Sequence, residues 1–337
     1  MKALVYTRPG HLEVQSWPDP SPSPGQAVLK VEGTGICGSD MAGFEGRSSR
    51  RVPPLILGHE VVGTVLETHG GGRVRPGDRV VANPLQSCGT CAFCQTGRDN
   101  LCERWRLLGM DREHGAFAEF VAVSENNLFP IPPNVPLERA IMVEPLANSV
   151  HLLRMAGAGG FQSLAIIGGG TQGILALMLA RLLGHRSIAV VETNAERRDV
   201  ALSQGASLVI DPGQADPVVV IREWSPGGVD VAVEAVGLES TRLTAVGSLK
   251  KGGTAILLGL HDQNSTMDFA TVVRSEIRLL GSFAYTGRDF TRSLQLLMDD
   301  EIDPSPWVRV RSLTDGQRAF EDIIERPGAT LKYVLAP

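Results

Sequence analysis

The stretch LAIIGGGTQGI, from Leu164 to Ile174, decides the fold of this chain. The apolar run Leu164–Ile167 predicts a buried strand, and the apolar segment Ile174–Leu183 predicts a helix. Between them the glycines form the pattern G-x-G-x-x-G. Its first glycine turns the chain tightly, its second lets the backbone approach a pyrophosphate, and its third lets helix and strand pack closely. The stretch therefore predicts a dinucleotide site that includes Gly168, Gly170, Gln172, Gly173 and Ile174.

An acidic residue follows at the distance that this kind of site requires. Glu192 comes directly after the next predicted strand, Ser187–Val191, where a carboxylate hydrogen-bonds the hydroxyls of the adenosine ribose. A carboxylate there would repel a 2′-phosphate, so the sequence favours NAD over NADP. Arg197, on the helix predicted at Ala195–Gln204, either stacks on the adenine or is solvated. The candidates nearer the nicotinamide are Leu258, Gly259, Leu260, His261 and Phe283.

Strands and helices alternate through the middle of the chain. The further strand-like runs are Leu208–Ile210, Val229–Val233 and Thr254–Leu258. Alternation of this kind predicts a parallel sheet with helices on both faces. We therefore expect an α/β fold with a doubly wound parallel sheet over residues 149–285.

The two ends of the chain have a different pattern. The first half carries short Val-rich runs bounded by Gly or Pro, and Pro130–Pro136 precedes a helical pattern that runs from Leu137 towards Met155. The runs are Ala27–Val31, Glu60–Glu67, Asp78–Ala82 and Phe117–Val123. The last part, with helices at Phe290–Met298 and Gly316–Glu325 and a strand at Thr330–Leu335, is too short to be a domain alone. We expect residues 1–148 and 286–337 to form one β-rich domain.

Four of the five cysteines lie in one short loop. The loop reads Cys88-Gly-Thr-Cys91-Ala-Phe-Cys94, and Cys102 follows. This spacing is typical of a closed, tetrahedral, all-thiolate zinc site of the structural kind.

The fifth cysteine, Cys37, predicts a second and open metal site together with His59. A catalytic zinc takes three protein ligands and leaves one position for water or substrate. The third ligand is either Glu60, beside the histidine, or Glu144, a carboxylate in an apolar helical stretch. A lone cysteine is more often a small buried hydrophobe, so the prediction depends on these residues occurring together.

Composition excludes several classes of protein. The chain has 337 residues, 43% of them hydrophobic and 20% charged, with a net charge of −5 and no long block of Lys or Arg. We therefore expect neither nucleic acid nor a membrane surface as partner. Neither a signal peptide nor a membrane span is indicated. All five cysteines can be assigned to metal sites, which fits a reducing, cytoplasmic location.

Taken in order along the chain, these motifs resemble the zinc-containing medium-chain dehydrogenases. The motifs are Cys37-Gly-Ser39-Asp40, Gly58-His59-Glu60, the cysteine loop, Gly115-Ala-Phe-Ala-Glu-Phe120, Glu144-Pro145 and the glycine pattern. The resemblance is greatest with the sorbitol, threonine and galactitol dehydrogenase branch. It implies a GroES-like β domain, with an inserted Rossmann domain, and a homotetramer or homodimer.

The resemblance also implies roles for single residues. Cys37, His59 and Glu60 would hold a catalytic zinc, with Glu144 as an alternate ligand or a partner of the bound water. Ser39 would pass on the substrate proton. The cysteine loop would hold a second, structural zinc. The family often has a histidine five residues after the catalytic cysteine, but this chain has Ala42. The proton path must therefore end differently, through the nicotinamide ribose and water or through a glutamate.

The function expected is hydride transfer between NAD and the secondary alcohol of a polyol, amino alcohol or sugar derivative. Two alternatives stay open at this point: an aldehyde or ketone reductase that uses the same site in reverse, and a dinucleotide-binding sensor without catalysis. Substrate choice is expected in loops such as Met41–Arg51, whose arginines either bind an anionic substrate or are solvated.

Overall fold

The computed structural model describes residues 1–70, 72–157 and 160–337. The chain divides into two compact units, one of Met1–Glu144 with Thr286–Pro337 and the other of Pro145–Tyr285. Among the described residues, no helix combines the length and the apolar character needed to cross a membrane.

The first segment of the first unit is made mostly of short strands. Its strands are β1 (Lys2–Arg8), β2 (His11–Ser16), β3 (Gln26–Gly35), β4 (Leu55–Ile56), β5 (Glu60–Thr68), β6 (Arg79–Ala82), β7 (Leu85–Gln86), β8 (Arg106–Leu107), β9 (Phe120–Ser124) and β10 (Leu128–Pro130). Its helices are α1 (Gly38–Phe44), α2 (Ala92–Gln95) and α3 (Leu137–Ala140). The next helix, α4 (Val143–Met155), begins at the boundary between the units and carries Pro145 in its first turn, where a missing N–H costs no helix bond.

The second unit is a doubly wound sheet. Its strands are β11 (Ser163–Ile167), β12 (Ser187–Val191), β13 (Leu208–Ile210), β14 (Val229–Glu234), β15 (Leu249–Leu257) and β16 (Arg278–Gly281). Its further helices are α5 (Thr171–Leu182), α6 (Ala195–Ser203), α7 (Pro217–Trp224), α8 (Glu239–Gly247) and α9 (Phe269–Arg274). The strand order is β13-β12-β11-β14-β15-β16 and every pairing is parallel. In such a sheet, ligands bind at the carboxyl ends of the strands.

The last segment of the chain returns to the first unit. It contains α10 (Gly287–Met298), β17 (Val308–Ser312), α11 (Gly316–Glu325) and β18 (Lys332–Ala336). β18 pairs antiparallel with β3, so the main sheet of this unit runs β10-β6-β5-β3-β18-β17, with β9 also on β3. α11 covers a core in which Phe320 packs against Phe44 and Phe117.

The α/β fold is confirmed, but several element ends differ from prediction. The helix expected at Ile174 begins at Thr171, directly after the glycine turn. The single helical pattern from Leu137 to Met155 is two helices. β3 extends beyond Val31 to Gly35, through glycines that pack closely against other strands. The strand expected from Phe117 begins at Phe120.

Candidate active site

Three of the predicted ligands lie together in the first unit. One ligand atom each from Cys37, His59 and Glu60 forms a group in which all the atoms lie within 4.8 Å of one another. Cys37 precedes α1. His59 follows Gly58, which has φ of 90°, and Glu60 is the first residue of β5. A Cβ on Gly58 would lie 2.8 Å from both Phe117 and Thr34, so the turn that presents His59 requires glycine.

Asp40 stabilises positive charge at His59. Its Oδ1 atom lies 3.5 Å from His59 Nδ1, and its Oδ2 atom accepts a hydrogen bond from Cys37 N at 3.0 Å. Burial raises the pKa of Asp40, but His59 and Arg51 outweigh burial and lower the pKa to about 2. Burial lowers the pKa of His59, yet Asp40 raises it well above its ordinary value. A carboxylate at Nδ1 leaves Nε2 for a metal ion, the usual arrangement around a zinc-bound histidine.

A buried lysine holds Glu60 in this group. Lys332, which is 4% exposed, donates from Nζ to Glu60 Oε1 at 2.6 Å and to Ile36 O at 3.0 Å. Glu60 Oε2 is buried and has no hydrogen-bond partner among the described residues. A Cβ on Gly35 would lie 2.1 Å from this oxygen. An orphaned carboxylate oxygen beside a thiol and an imidazole fits a zinc ion, because all three are ligands that zinc prefers.

Glu144 does not belong to this group of ligand atoms within 4.8 Å of one another. It is 9% exposed and lies at the start of α4. Burial lowers the pKa of Lys332, but the charge of Glu60 outweighs burial and raises this pKa, and the charge of Glu144 contributes to the increase. The described residues place Glu60, and not Glu144, with Cys37 and His59.

The cysteine loop folds into a compact thiol cluster around α2. Cys88 Sγ lies 3.9 Å and Cys91 Sγ 3.5 Å from Cys94 Sγ, too far for a disulfide. Four thiolates on one zinc would be about 3.8 Å apart, given Zn–S bonds of about 2.3 Å. The N–H of Thr90 lowers the pKa of Cys88 to about 5, whereas burial and neighbouring thiols raise that of Cys94 to about 11. Four adjacent thiolates repel one another unless a cation lies between them, so Cys88, Cys91, Cys94 and Cys102 fit a zinc ion.

The glycine pattern lies at the carboxyl end of β11, as the sequence predicts. Gly168 has φ of 104°, and a Cβ on Gly173 would lie 1.8 Å from Gly168 O, so neither position accepts a side chain. Gly170 is the N-cap of α5 and offers no side chain to cap it, which suits an anion at the helix N-terminus. Gln172 and Ile174 lie in the first turn of the helix.

Glu192 stands at the same edge, after β12. It is 8% exposed, and its Oε2 accepts a hydrogen bond from Gly169 N at 2.7 Å while Oε1 accepts one from Asn194 N at 2.8 Å. These bonds fix the carboxylate beside the glycine turn. Arg197 Nη1 lies 3.9 Å from the position of a Cβ on Gly170.

The other cofactor candidates follow β15, except Phe283, which follows β16. Leu258 N donates to Glu234 O at 2.9 Å, and a Cβ on Gly259 would lie 2.1 Å from Gly237 N. Both residues therefore lie at the edge that holds the glycine turn. Leu260 is 83% exposed and Phe283 is 37% exposed.

The prediction that Met41–Arg51 forms a loop is wrong in part. Met41 lies inside α1, and Arg51 is 3% exposed, so neither belongs to a solvated loop. Arg47 pairs with Glu45, and Arg50 pairs with Asp111. Sequence reasoning missed Lys332 as a site residue altogether, since no spacing signal links it to a residue 272 positions away.

Comparison with known proteins identifies the family. Residues 23–133 match the alcohol dehydrogenase GroES-like domain, and residues 173–299 match the zinc-binding dehydrogenase domain. The L-threonine 3-dehydrogenase of Pyrococcus horikoshii is 32% identical over 99% of this chain and 98% of its own. The L-idonate 5-dehydrogenase of Vitis vinifera is 30% identical over 92% of this chain and 88% of its own.

A solved structure agrees with this result. A zinc-binding dehydrogenase from Sinorhizobium meliloti, crystallised with NADP, has a TM-score of 0.89 and 32% identity, and the match covers 100% of this chain and 99% of that one. The chain belongs to the zinc-containing medium-chain dehydrogenase/reductase family, whose members matched here are alcohol and polyol dehydrogenases.

Proposed function

We propose that this protein is a zinc-dependent dehydrogenase that oxidises the secondary alcohol of a polyol, an amino alcohol or a sugar derivative with NAD. The observation that carries the proposal is the group of Cys37, His59 and Glu60 in a chain that also has a complete glycine turn. The relatives named above act on threonine and idonate, and both are secondary alcohols. A sensor without catalysis is not favoured, because the ligand set is intact.

Each residue of the site has a defined task in this proposal. Zinc, when bound by Cys37, His59 and Glu60, supplies Lewis acidity that lowers the pKa of an alcohol oxygen. Ser39 accepts the alcohol proton on Oγ, two residues after Cys37. Lys332 keeps Glu60 Oε1 occupied and so leaves Oε2 for the metal ion. Glu144 serves as an alternate ligand or as partner of a bound water.

The second unit binds NAD in this proposal. The N-terminus of α5 binds the pyrophosphate and Glu192 binds the adenosine ribose, while the residues after β15 approach the nicotinamide. Glu192 supports NAD over NADP because its carboxylate is held in place by Gly169 and Asn194. The residues 1–148 with 286–337 serve as the catalytic domain, and 149–285 serve as the cofactor domain.

Assembly and location form a separate part of the proposal. We expect a homotetramer or a homodimer, because β16 is an edge strand of its sheet and the same unit exposes Leu260 by 83% and Val273 by 74%. None of the five cysteines is in a disulfide, which supports a reducing, cytoplasmic compartment. Light scattering of the purified protein measures the assembly.

The test of function combines elemental analysis with an NAD reduction assay. The panel contains threonine, sorbitol, 2,3-butanediol, idonate and galactitol 1-phosphate. We expect two zinc ions per chain and turnover on one class of alcohol. Ser39→Ala should lower kcat about 10²-fold, the usual scale for a positioned proton-transfer group, without loss of zinc. Two bound zinc ions with no turnover on any alcohol would contradict the proposal.

A further inference from the structure

A buried arginine contacts the hydroxyl that the proposed reaction uses. Arg51 is 3% exposed, and its Nη2 atom donates to Ser39 Oγ at 3.0 Å. Its Nε atom lies 3.8 Å from Oδ1 of the fully buried Asp40 and makes no hydrogen bond among the described residues. A guanidinium in this position is therefore held between the proton-transfer hydroxyl and the carboxylate behind His59.

The fold of α1 makes room for this arginine. A Cβ on Gly43 would lie 2.6 Å from Cδ and 3.1 Å from Cβ of Arg51, so the arginine stem fills the space that a side chain at position 43 would need. The preceding arginine, Arg50, is different: it pairs with the exposed Asp111 and stacks at 3.9 Å on the ring of Trp105. Only the second of these two consecutive arginines is buried against the site.

The chemistry of a guanidinium limits what Ser39 can do. Arginine is a donor with no acceptor atom and stays protonated in proteins. It therefore occupies one lone pair of Ser39 Oγ and cannot receive a proton from it. The hydroxyl keeps one lone pair and one hydrogen for other partners, and the adjacent positive charge favours negative charge on Oγ. The position of the usual relay histidine holds Ala42, which carries no proton either.

We propose that Arg51 is a positioning residue of the reaction, which orients the Ser39 hydroxyl and stabilises its oxygen while the alcohol proton passes through it. The proton that leaves Ser39 then goes to water or to a ribose hydroxyl, because neither Arg51 nor Ala42 can accept it. This inference rests on the proposed function, because Ser39 has this role only where an alcohol is oxidised.

A double-mutant cycle between Arg51 and Ser39 tests the proposal. Arg51→Met keeps the packing on Gly43 but removes the charge and the donors. We expect it to lower kcat about 10- to 100-fold, with little change in KM, two zinc ions still bound and a larger solvent isotope effect. In the Ser39→Ala background the same substitution should have almost no effect on kcat, because both changes remove one coupled interaction. Arg51→Lys should recover part of kcat.

The controls separate this role from a structural one. Arg50→Met, which changes the neighbouring exposed arginine, should keep the kcat and the melting temperature of the unmodified protein. Equal losses of kcat in both backgrounds, or loss of zinc from Arg51→Met, would show that Arg51 acts through Asp40 and would overturn the proposal. If Arg51→Met does not fold, the same double-mutant cycle is measured with Arg51→Lys in its place. If the unmodified protein binds two zinc ions but oxidises no alcohol, the proposed function itself is contradicted.

Discussion

Replacing Lys332 by methionine should destabilise the protein far more than replacing a surface cation. The side chain of Lys332 is 3% exposed and that of its partner Glu60 is 1% exposed. Removing one partner of a buried ion pair costs about 3–5 kcal/mol, because it leaves the other charge buried and uncompensated. Each kcal/mol shifts the melting temperature of a domain of this size by about 2–4 °C. We therefore expect a decrease of roughly 6–20 °C.

Thermal unfolding of chelator-treated protein is the assay, because a bound metal ion would supply part of the missing positive charge. Arg318→Met is the matched control, since Arg318 is 48% exposed and pairs with Glu321 and Asp322. Such surface pairs contribute about 0–1 kcal/mol. The double variant Lys332→Met, Glu60→Gln should regain most of the loss. If Lys332→Met melts no lower than Arg318→Met, the assignment of this pair as a buried ion pair is refuted.

Three further predictions concern other parts of the chain. Burial raises the pKa of Asp230, but bonds from Lys250 and Ser163 outweigh it and lower the pKa to about 2. Asp230 should therefore account for about 1–2 kcal/mol of the stability lost between pH 4 and pH 2, and urea unfolding of Asp230→Asn should show a fall that is smaller by that amount. Cys94→Ser should bind one zinc ion instead of two and melt several degrees lower, as elemental analysis and calorimetry can show. Glu192→Ser should lower KM for NADP and raise KM for NAD in steady-state assays.

The alternating half of the fold was predictable in part, because strands β11 to β14 and helices α5 and α6 carry their own local patterns. The sequence did not predict α7, α8, α9 or β16, and β15 begins at Leu249 instead of Thr254. β12 and β13 have the predicted bounds, since short Val- and Ile-rich runs are bounded by polar residues. The strand β3 was harder, because it ends in Glu32-Gly-Thr-Gly35, which has no strand periodicity. Glycine is required in this part of β3 by tertiary contacts, because a Cβ on Gly33 would lie 2.8 Å from Val334 Cγ1. Contacts with a strand 300 residues away leave no signal in a local window.

Some residues of the candidate site could likewise be predicted from local sequence patterns, and others could not. Cysteines in one short loop and a histidine beside a glutamate are local patterns that indicate metal ligands. The residues that hold those ligands in place have no such local pattern. Arg51 lies in a stretch of polar residues that resembles a surface loop, and Lys332 lies on a strand near the other end of the chain. Whether such a cation is solvated or buried depends on which strands pair, and pairing over long separations is a property of the whole fold.

One strand end explains why these distant residues meet. Gly35, the last residue of β3, pairs with Glu60 of β5 on one side and with Val334 of β18 on the other. Ile36 and Cys37 follow directly in the chain. The end of β3 therefore leads into the proposed ligand Cys37 and pairs with the proposed ligand Glu60, and Lys332 of β18 contacts both Ile36 O and Glu60. The lack of a side chain at Gly35 leaves room for the Glu60 carboxylate, since a Cβ would lie 2.1 Å from Oε2. The returning segment is therefore part of the proposed metal site, because without β18 the Glu60 carboxylate would be buried without the Lys332 cation.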